Sequence, residues 1–296
     1  MKEMRIKTPA TSANLGPGFD SLGLAITLYN EVYIKSSRYH SISIKGEGAN
    51  NVRLKRNNLF ISIFNDIYAE LVGHKDTFRF EFKNNIPFAG GLGSSSAVIV
   101  SAIACAYNMA DIKADKRVVL NRALEYEPHP DNIAPAVYGG FVSSVVENGE
   151  VYSLKKELSK RIKAVMVVPD KPMSTSHSRT KLDKNFSIEK MVYNISRASL
   201  LSSAFFSENW EMLKVASKDC MHQDKRMLAL PELKNVQKMA LKDGALMSTL
   251  SGSGSSFFTL CYEKDAQKIT NNLKREFENF KVATFDFDNV GYIIEK

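Results

Sequence analysis

Residues 87–97 read Pro87-Phe88-Ala89-Gly90-Gly91-Leu92-Gly93-Ser94-Ser95-Ser96-Ala97. Glycines followed by serines suit a polyphosphate. Glycine lets a backbone come close to a ligand with no Cβ in the way, and hydroxyls can serve phosphate oxygens and a bound Mg²⁺ alike. The flanking segments strengthen the reading. Upstream, Phe78, Phe80 and Phe82 alternate with Arg79, Glu81 and Lys83, the period-two pattern of a half-buried strand. Downstream, residues 97–109 are small, apolar and free of Gly and Pro, as in a buried helix. A loop joining a strand to a helix N-terminus sits where free N–H groups and the helix dipole favour an anion. A tight turn with no ligand is the competing reading; it suits a lone glycine pair better than this run. No Gly-Lys-Ser/Thr follows, and the third glycine of a dinucleotide fingerprint is missing, so neither common nucleotide loop applies.

Two other stretches share this character. Pro9-Ala10-Thr11-Ser12-Ala13-Asn14-Leu15-Gly16-Pro17-Gly18-Phe19-Asp20 is dense in turn formers and hydrogen-bonding side chains, and residues 251–256 read Ser-Gly-Ser-Gly-Ser-Ser. A fourth segment, Glu127-Pro128-His129-Pro130-Asp131-Asn132-Ile133-Ala134-Pro135-Ala136, ends at Gly139-Gly140. Each loop by itself is compatible with a plain turn.

These loops need elements to hold them. Ile6 opens a strand, a long loop follows from Pro9 to about Ser21, and 25–36 and 41–45 are strand-like. Residues 58–71 predict a helix with Leu59, Ile63, Ile67 and Leu71 on one face. After strand 78–83 and the helix behind the Gly/Ser loop comes a helix near 116–125. Then 141–146 and 151–154 form a hairpin around Asn148-Gly149. The polar stretch 155–161 reads as a junction. Beyond it lie strand 164–168, helices near 187–206, 210–220 and 233–243, strands 245–250 and 256–261, helix 264–280 and a strand near 283–287. The pattern is α+β, divided into an N-terminal unit 1–156 and a C-terminal unit 157–296.

Composition excludes several classes. The chain has 296 residues, 44% apolar and 24% charged, the profile of an ordinary globular protein. Cys105, Cys220 and Cys261 are far apart with no Cys-x-x-Cys pair, which argues against a disulfide framework or zinc site. No apolar segment of signal-peptide or membrane-spanning length is visible, so a cytoplasmic protein is expected. The net charge of +8 is spread along the chain without a nucleic-acid-binding signature. No nucleic-acid or membrane partner is expected.

Taken together, the three loops resemble the three motifs of the GHMP kinases, and within that superfamily the match is nearest to the homoserine kinase family. The first loop is similar to that family's Pro-x-Thr-Ser-Ala-Asn-Leu-Gly-x-Gly-Phe-Asp, and 127–136 to its Glu-Gly-His-Pro-Asp-Asn-Val-Ala-Pro-Ala, over about residues 5–260. The resemblance implies a ribosomal S5 domain 2-like N-terminal domain and a ferredoxin-like C-terminal domain, with the active site between them. It also implies ATP- and Mg²⁺-dependent phosphorylation of L-homoserine in threonine biosynthesis by a homodimer.

By the same resemblance, Pro87 to Ala97 would hold the ATP phosphates, with Ser94 or Ser95 near Mg²⁺. Glu127 would be the metal's carboxylate, with Glu125 a competitor for that role. Asn58 would lie near adenine, or else cap a helix. Arg179, in Thr175-x-x-x-Arg179, and Arg226 suit the substrate carboxylate through charge-assisted bonds. Asn14 and Asp20 are acceptors for its polar end, His129, Asn132 and Thr175 are further contacts, and Gly252 supports substrate from the third loop. Asn132 stands where sister kinases carry an Asp, and an amide cannot take a proton. The acceptor hydroxyl would then lose its proton late, to the phosphoryl group itself, with Asn132 orienting it. Asp131 is an alternative base, its competing role being to brace the loop. His177 and His222 have no assigned chemistry. Two departures from pattern are Pro128 for Gly and Ser255 for Pro. Three other functions compete: a kinase of another small alcohol, a non-catalytic sensor, and a nucleic-acid-binding S5-like protein.

Overall fold

The computed structural model describes residues 2–171, 179–180 and 182–295. Its first unit is organised by the phenylalanine alternation read in the sequence. Phe78, Phe80 and Phe82 are buried on one side of β4 (Phe78–Asn84), while Arg79 and Lys83 face water. Those rings need a large apolar surface opposite, and α2 (Leu59–Val72) supplies it. Phe64 meets Phe78 edge-to-face at 5.0 Å and Phe60 meets Phe82 at 5.3 Å, the geometry that aromatic quadrupoles prefer. The inner face of α2 therefore differs from the face read in sequence. Ile63 and Ile67 are buried as expected, but Leu59 is 47% exposed while Phe60 and Phe64 are sealed. Two neighbouring stripes satisfy the helical period, and the one bearing rings removes more apolar area from water.

The first sheet also contains β1 (Glu3–Ala13), β2 (Leu22–Ser36), β3 (Ser41–Gly46), β5 (Phe141–Glu147) and β6 (Glu150–Lys156). Its path runs β11 (Ile293–Glu295), β1, β2, β4, β3, with β5 on the far part of β2 and β6 on β5. All its pairs are antiparallel except β3 with β4. Asn148 and Gly149, both at positive φ, close the β5–β6 hairpin as their Asn-Gly sequence demands. Strand β1 runs through Ala13, so residues 9–13 of the expected loop are paired backbone. Its register shifts between Pro9 and Ala10, a bulge where a proline removes a ladder donor. Behind the sheet lie α1 (Val52–Arg56), α3 (Ser94–Met109), α4 (Lys116–Ala123) and α5 (Pro130–Tyr138). Helix α5 was not read as a helix in sequence. Its two prolines obscured it, although Pro130 stands in the first turn, where a missing N–H costs nothing.

The second sheet has the order β10-β7-β9-β8 and is fully antiparallel. Its strands are β7 (Ile162–Val168), β8 (Met247–Leu250), β9 (Phe257–Tyr262) and β10 (Lys281–Phe285). The helices are α6 (Ile188–Ser207), α7 (Leu213–Ala216), α8 (Gln223–Met227), α9 (Glu232–Lys242) and α10 (Glu263–Glu276). The helix expected at 210–220 is instead a 3-10 turn at Trp210–Met212 followed by the single turn of α7.

Both faces of β7 are buried. Val165 and Val167 join Leu233, Val236, Ile269 and Leu273 of α9 and α10 in one core. Ala164 and Met166 face a separate core that reaches Leu24 and Ile26 of β2, so the two sheets share apolar side chains. There Phe141 and Phe205 stack with centroids 4.1 Å apart. The last strand, β11 (Ile293–Glu295), pairs with β1. The chain thus does not stay in the unit 157–296 to its end but rejoins the first sheet after β10. A three-residue strand pairing across the whole chain leaves no periodic signal. No helix among the described residues is long and apolar enough to cross a membrane.

Phe205 is fully buried between the sheets, so Phe205→Ala removes a ring from both. Chemical denaturation should show a loss of about 3–5 kcal/mol, and an unchanged midpoint would contradict a shared core.

Candidate active site

The site begins at α3. Gly93 precedes the helix in the left-handed conformation, with φ 66°, and no side chain caps the helix end. The first backbone bond of α3 runs from Ala97 N to Gly93 O (2.9 Å), and the end of the dipole points into a pocket between the three loops. Ser94 and Ser96 are buried against the fold, whereas Ser95 is exposed at the pocket. A Cβ on Gly91 would fall 2.1 Å from Ser251 O, and one on Gly93 would fall 1.9 Å from Thr11 Oγ1. These glycines are required by close approach as well as by φ.

Hydrogen bonds lace the loops together. Thr11 N donates to Leu92 O (3.1 Å), Ser256 N to Gly90 O (2.9 Å), and Gly252 N to Ala13 O (3.1 Å). Ser251 Oγ donates to Gly91 O at 2.7 Å. Asn14 is committed at both ends of its amide: Oδ1 accepts from Asp20 N (3.0 Å) and Nδ2 donates to Gly252 O (3.0 Å). It lines the pocket, but as a brace that closes the first loop. The motif predicts an acceptor for the substrate's polar end.

Arg179 and Asp20, read separately as partners for a ligand, pair with each other. Two parallel bonds of 2.9 and 2.7 Å join them, the fork geometry that suits guanidinium and carboxylate. Arg226 is different. It is 3% exposed, and Nη1 donates to Gly252 O (3.0 Å) and to His222 Nδ1 (3.2 Å). Its Nε has no partner, and no carboxylate pairs with it among the described residues. Burial, with the like charge of Arg179, brings its pKa down to about 10. His222 is held as the Nε2–H tautomer because Nε2 lies 2.7 Å from Gly16 O, which can only accept. Burial lowers its pKa and keeps it neutral. The sequence assigns His222 nothing; its bond to Gly16 crosses 206 residues. Phe19 lies beneath both guanidinium groups at 5.0 and 5.3 Å.

The segment 127–132 brings its side chains to the same pocket. Glu127 Oε1 accepts from His129 Nδ1 at 2.7 Å, and this bond, helped by the charge of Asp20, raises the His129 pKa. Glu125 faces away from the pocket and pairs with Arg122 at 2.7 Å. Asn132 Oδ1 accepts from Thr11 Oγ1 at 2.7 Å. Asp131, read as a brace, is 4% exposed, lines the pocket and has no cationic partner among the described residues. Burial first, then the charge of Asp20, raises its pKa to about 7. A carboxylate next to a proline-kinked turn has no sequence signal for such burial.

Most residues singled out by sequence line this one pocket, from Asn14 and Asp20 to Gly252. Three do not. Ala97 is fully enclosed in the core between the sheets, because it sits one turn inside α3. Phe88 turns to a side groove with Glu47, Val168 and Lys281. Asn58 caps α2, its Oδ1 accepting from Ile61 N at 3.3 Å, and borders another groove with His40 and Lys55. Thr175 and His177 lie outside the described residues.

The model of the GHMP kinases N terminal domain matches residues 58–140, and that of GHMP kinases C terminal matches 201–279. The chain is 64% identical to a homoserine kinase of Nitratiruptor sp. over 293 residues, 99% of this chain and all of that one. It is 57% identical to a homoserine kinase of Campylobacter concisus over 98% of this chain and 99% of that one. Its structure is similar to the crystal structure of homoserine kinase from Cytophaga hutchinsonii, with a TM-score of 0.88 and 26% identity, covering 100% of this chain and 98% of that one.

The burial of Asp131 sets a pH dependence of stability. Its folded pKa of about 7 lies above the ordinary aspartate value of 3.8, so the native state holds a proton that the unfolded chain releases. Stability therefore falls as pH rises from about 4 to about 7. Asp131→Asn should abolish that slope and be more stable than the parent at pH 8, the difference shrinking toward pH 4. Thermal unfolding across this range checks it, and parallel curves for the two proteins would refute it.

Proposed function

The chain belongs to the homoserine kinases of the GHMP kinase family, and from that premise we propose which of its residues carry the reaction. It transfers the γ-phosphate of ATP to the side-chain hydroxyl of L-homoserine, giving O-phospho-L-homoserine on the route to threonine. The observation that carries the assignment of the acceptor side is a pair of unmatched buried charges. Arg226 brings a cation without a carboxylate into the pocket, and Asp131 a carboxylate without a cation. Leaving either unmatched is costly. L-Homoserine has both complements, a carboxylate for Arg226 and an ammonium that would restore Asp131 to its ionised form. Arg179, already held by Asp20, adds a second positive field on the carboxylate side, and His129 and the Gly252 loop complete the wall. Thr175 is a further candidate contact. Mevalonate would leave Asp131 unmatched, and galactose would leave both charges so.

The uncapped end of α3 and the glycine cradle fit the phosphates of ATP, which would rest on Gly91 to Ser96. Glu127 and Ser95 offer hard oxygens to Mg²⁺. Mg²⁺ prefers hard oxygen ligands and keeps phosphate and water among them. Bound there, Mg²⁺ supplies neutralisation of phosphoryl charge. The residues themselves orient and stabilise. Asn132 holds the hydroxyl but cannot take its proton. As the hydroxyl oxygen bonds to the γ-phosphorus and the bond to the leaving ADP oxygen breaks, the proton passes late to the transferred phosphoryl oxygens.

A cytoplasmic setting agrees with three free, well-separated cysteines. A homodimer agrees with an exposed apolar stripe on α6, where Ile188, Val192 and Ile195 are 70%, 58% and 65% exposed.

A coupled ADP-release assay with Mg²⁺-ATP should show turnover with L-homoserine and none with mevalonate or galactose. Clear turnover with another alcohol alone would overturn the substrate assignment. Arg226→Gln should raise the KM for homoserine by about 100-fold, the cost of removing a buried charged hydrogen-bonding partner, with the KM for ATP nearly unchanged. Asn132→Asp should neither raise kcat nor add an acidic limb to its pH profile; if it did both, a base would be limiting after all.

A further inference from the structure

The hydroxyl of Thr11 lies where the phosphate loop and Asn132 meet. Thr11 is fully buried on β1, and its backbone N–H is fixed to Leu92 O at 3.1 Å. Its Oγ1 is 2.7 Å from Asn132 Oδ1. The Cβ that Gly93 lacks would collide with Thr11 Oγ1 at 1.9 Å and approach Asn132 Oδ1 to 3.1 Å. The absence of a side chain at Gly93 therefore makes the room in which these two groups touch.

An asparagine amide has a donor end and an acceptor end of nearly equal shape, and which end faces a substrate depends on its neighbours. Here two neighbours agree. The Thr11 hydroxyl has one proton, and Asn132 Oδ1 is the acceptor within reach. A reversed amide would put an N–H₂ group against the hydroxyl and leave that buried proton without a partner. On its other side, Asn132 Nδ2 lies 3.4 Å from Asp131 Oδ1, so with Asp131 ionised, as beside a bound ammonium, reversal would set two oxygens against each other. With its oxygen turned back to Thr11, Asn132 presents N–H to the pocket. A donor there holds the acceptor hydroxyl by a lone pair and leaves its proton for the phosphoryl oxygens. An acceptor there would hold that proton on the protein side.

We propose that Thr11 is a positioning residue: its hydroxyl fixes Asn132 with the N–H end toward the acceptor hydroxyl. This rests on the role given to Asn132 above. The test compares Thr11→Val, which keeps the shape and removes the hydroxyl, with Thr11→Ser, which keeps the hydroxyl, in steady-state kinetics with L-homoserine and Mg²⁺-ATP. Thr11→Val should lower kcat about tenfold, the worth of one oriented hydrogen bond. Both KM values should stay within about threefold, and Thr11→Ser should recover most of kcat. In an Asn132→Ala background, Thr11→Val should cost almost nothing more, because the group it orients is gone.

The proposal is overturned if Thr11→Val retains kcat while Asn132→Ala loses it, if Thr11→Ser is as impaired as Thr11→Val, or if the two losses simply multiply. Should Asn132→Ala itself retain full kcat, the reading of Asn132 fails first and this one with it. If Thr11→Val does not fold, Thr11→Ala against Thr11→Ser gives the same comparison.

Discussion

One carbonyl oxygen joins the parts of this site. Gly252 O accepts from Asn14 Nδ2 and from Arg226 Nη1, each at 3.0 Å, inside a region closed to water. The first donor ties the third loop to the first, and the second aims a buried guanidinium. From Asn14 the constraint passes to Asp20 through a backbone bond, and from Asp20 to Arg179 through a bidentate pair. From Arg226 it passes to His222 and back to Gly16 of the first loop. Loops of this composition have no core of their own. They are rigid because their backbone groups satisfy one another and because several glycines have no side chain to keep them apart.

The charges of the site follow from the same closure. A buried ionised group is tolerated when paired, and this pocket leaves one of each sign unpaired. Asp131 rises toward neutrality and Arg226 loses part of its hold on its proton, both chiefly through burial. Such a pocket suits a small zwitterion, and the proposed function directs its binding energy at the two ends of the substrate. In the proposed reading, orientation of the reacting hydroxyl is left to neutral groups, Asn132 and Thr11, which agrees with a chemistry limited by positioning and charge neutralisation.

Much of this was legible in sequence because the informative features are local. The Phe78–Phe82 alternation gives its strand, the Asn148-Gly149 turn its hairpin, and 87–97 a phosphate loop at a helix start. Where two local readings tied, sequence could not choose. The stripe through Leu59 and that through Phe60 fit one helical period equally, and only the aromatic surface of β4 decided between them. Helix α5 was hidden by Pro130, harmless in its first turn, and by Pro135 inside it, and the return of β11 to β1 by the shortness of the strand.

By itself, then, the sequence determined the chemical kind of this protein: loops that hold polyphosphate, arginines and acids suited to a zwitterion, and an amide in place of a base. Residue type and spacing set which chemistry is possible. The tertiary structure decided how those groups are used. It separated Glu127 from Glu125, since only the former faces the pocket, and made Asn14 a brace of the first loop. It joined Asp20 to Arg179, buried Asp131, and set Thr11 against Asn132 across more than a hundred residues of chain. Pairing, burial and the direction of a hydrogen bond belong to neighbours in space, and those neighbours here are far apart in sequence.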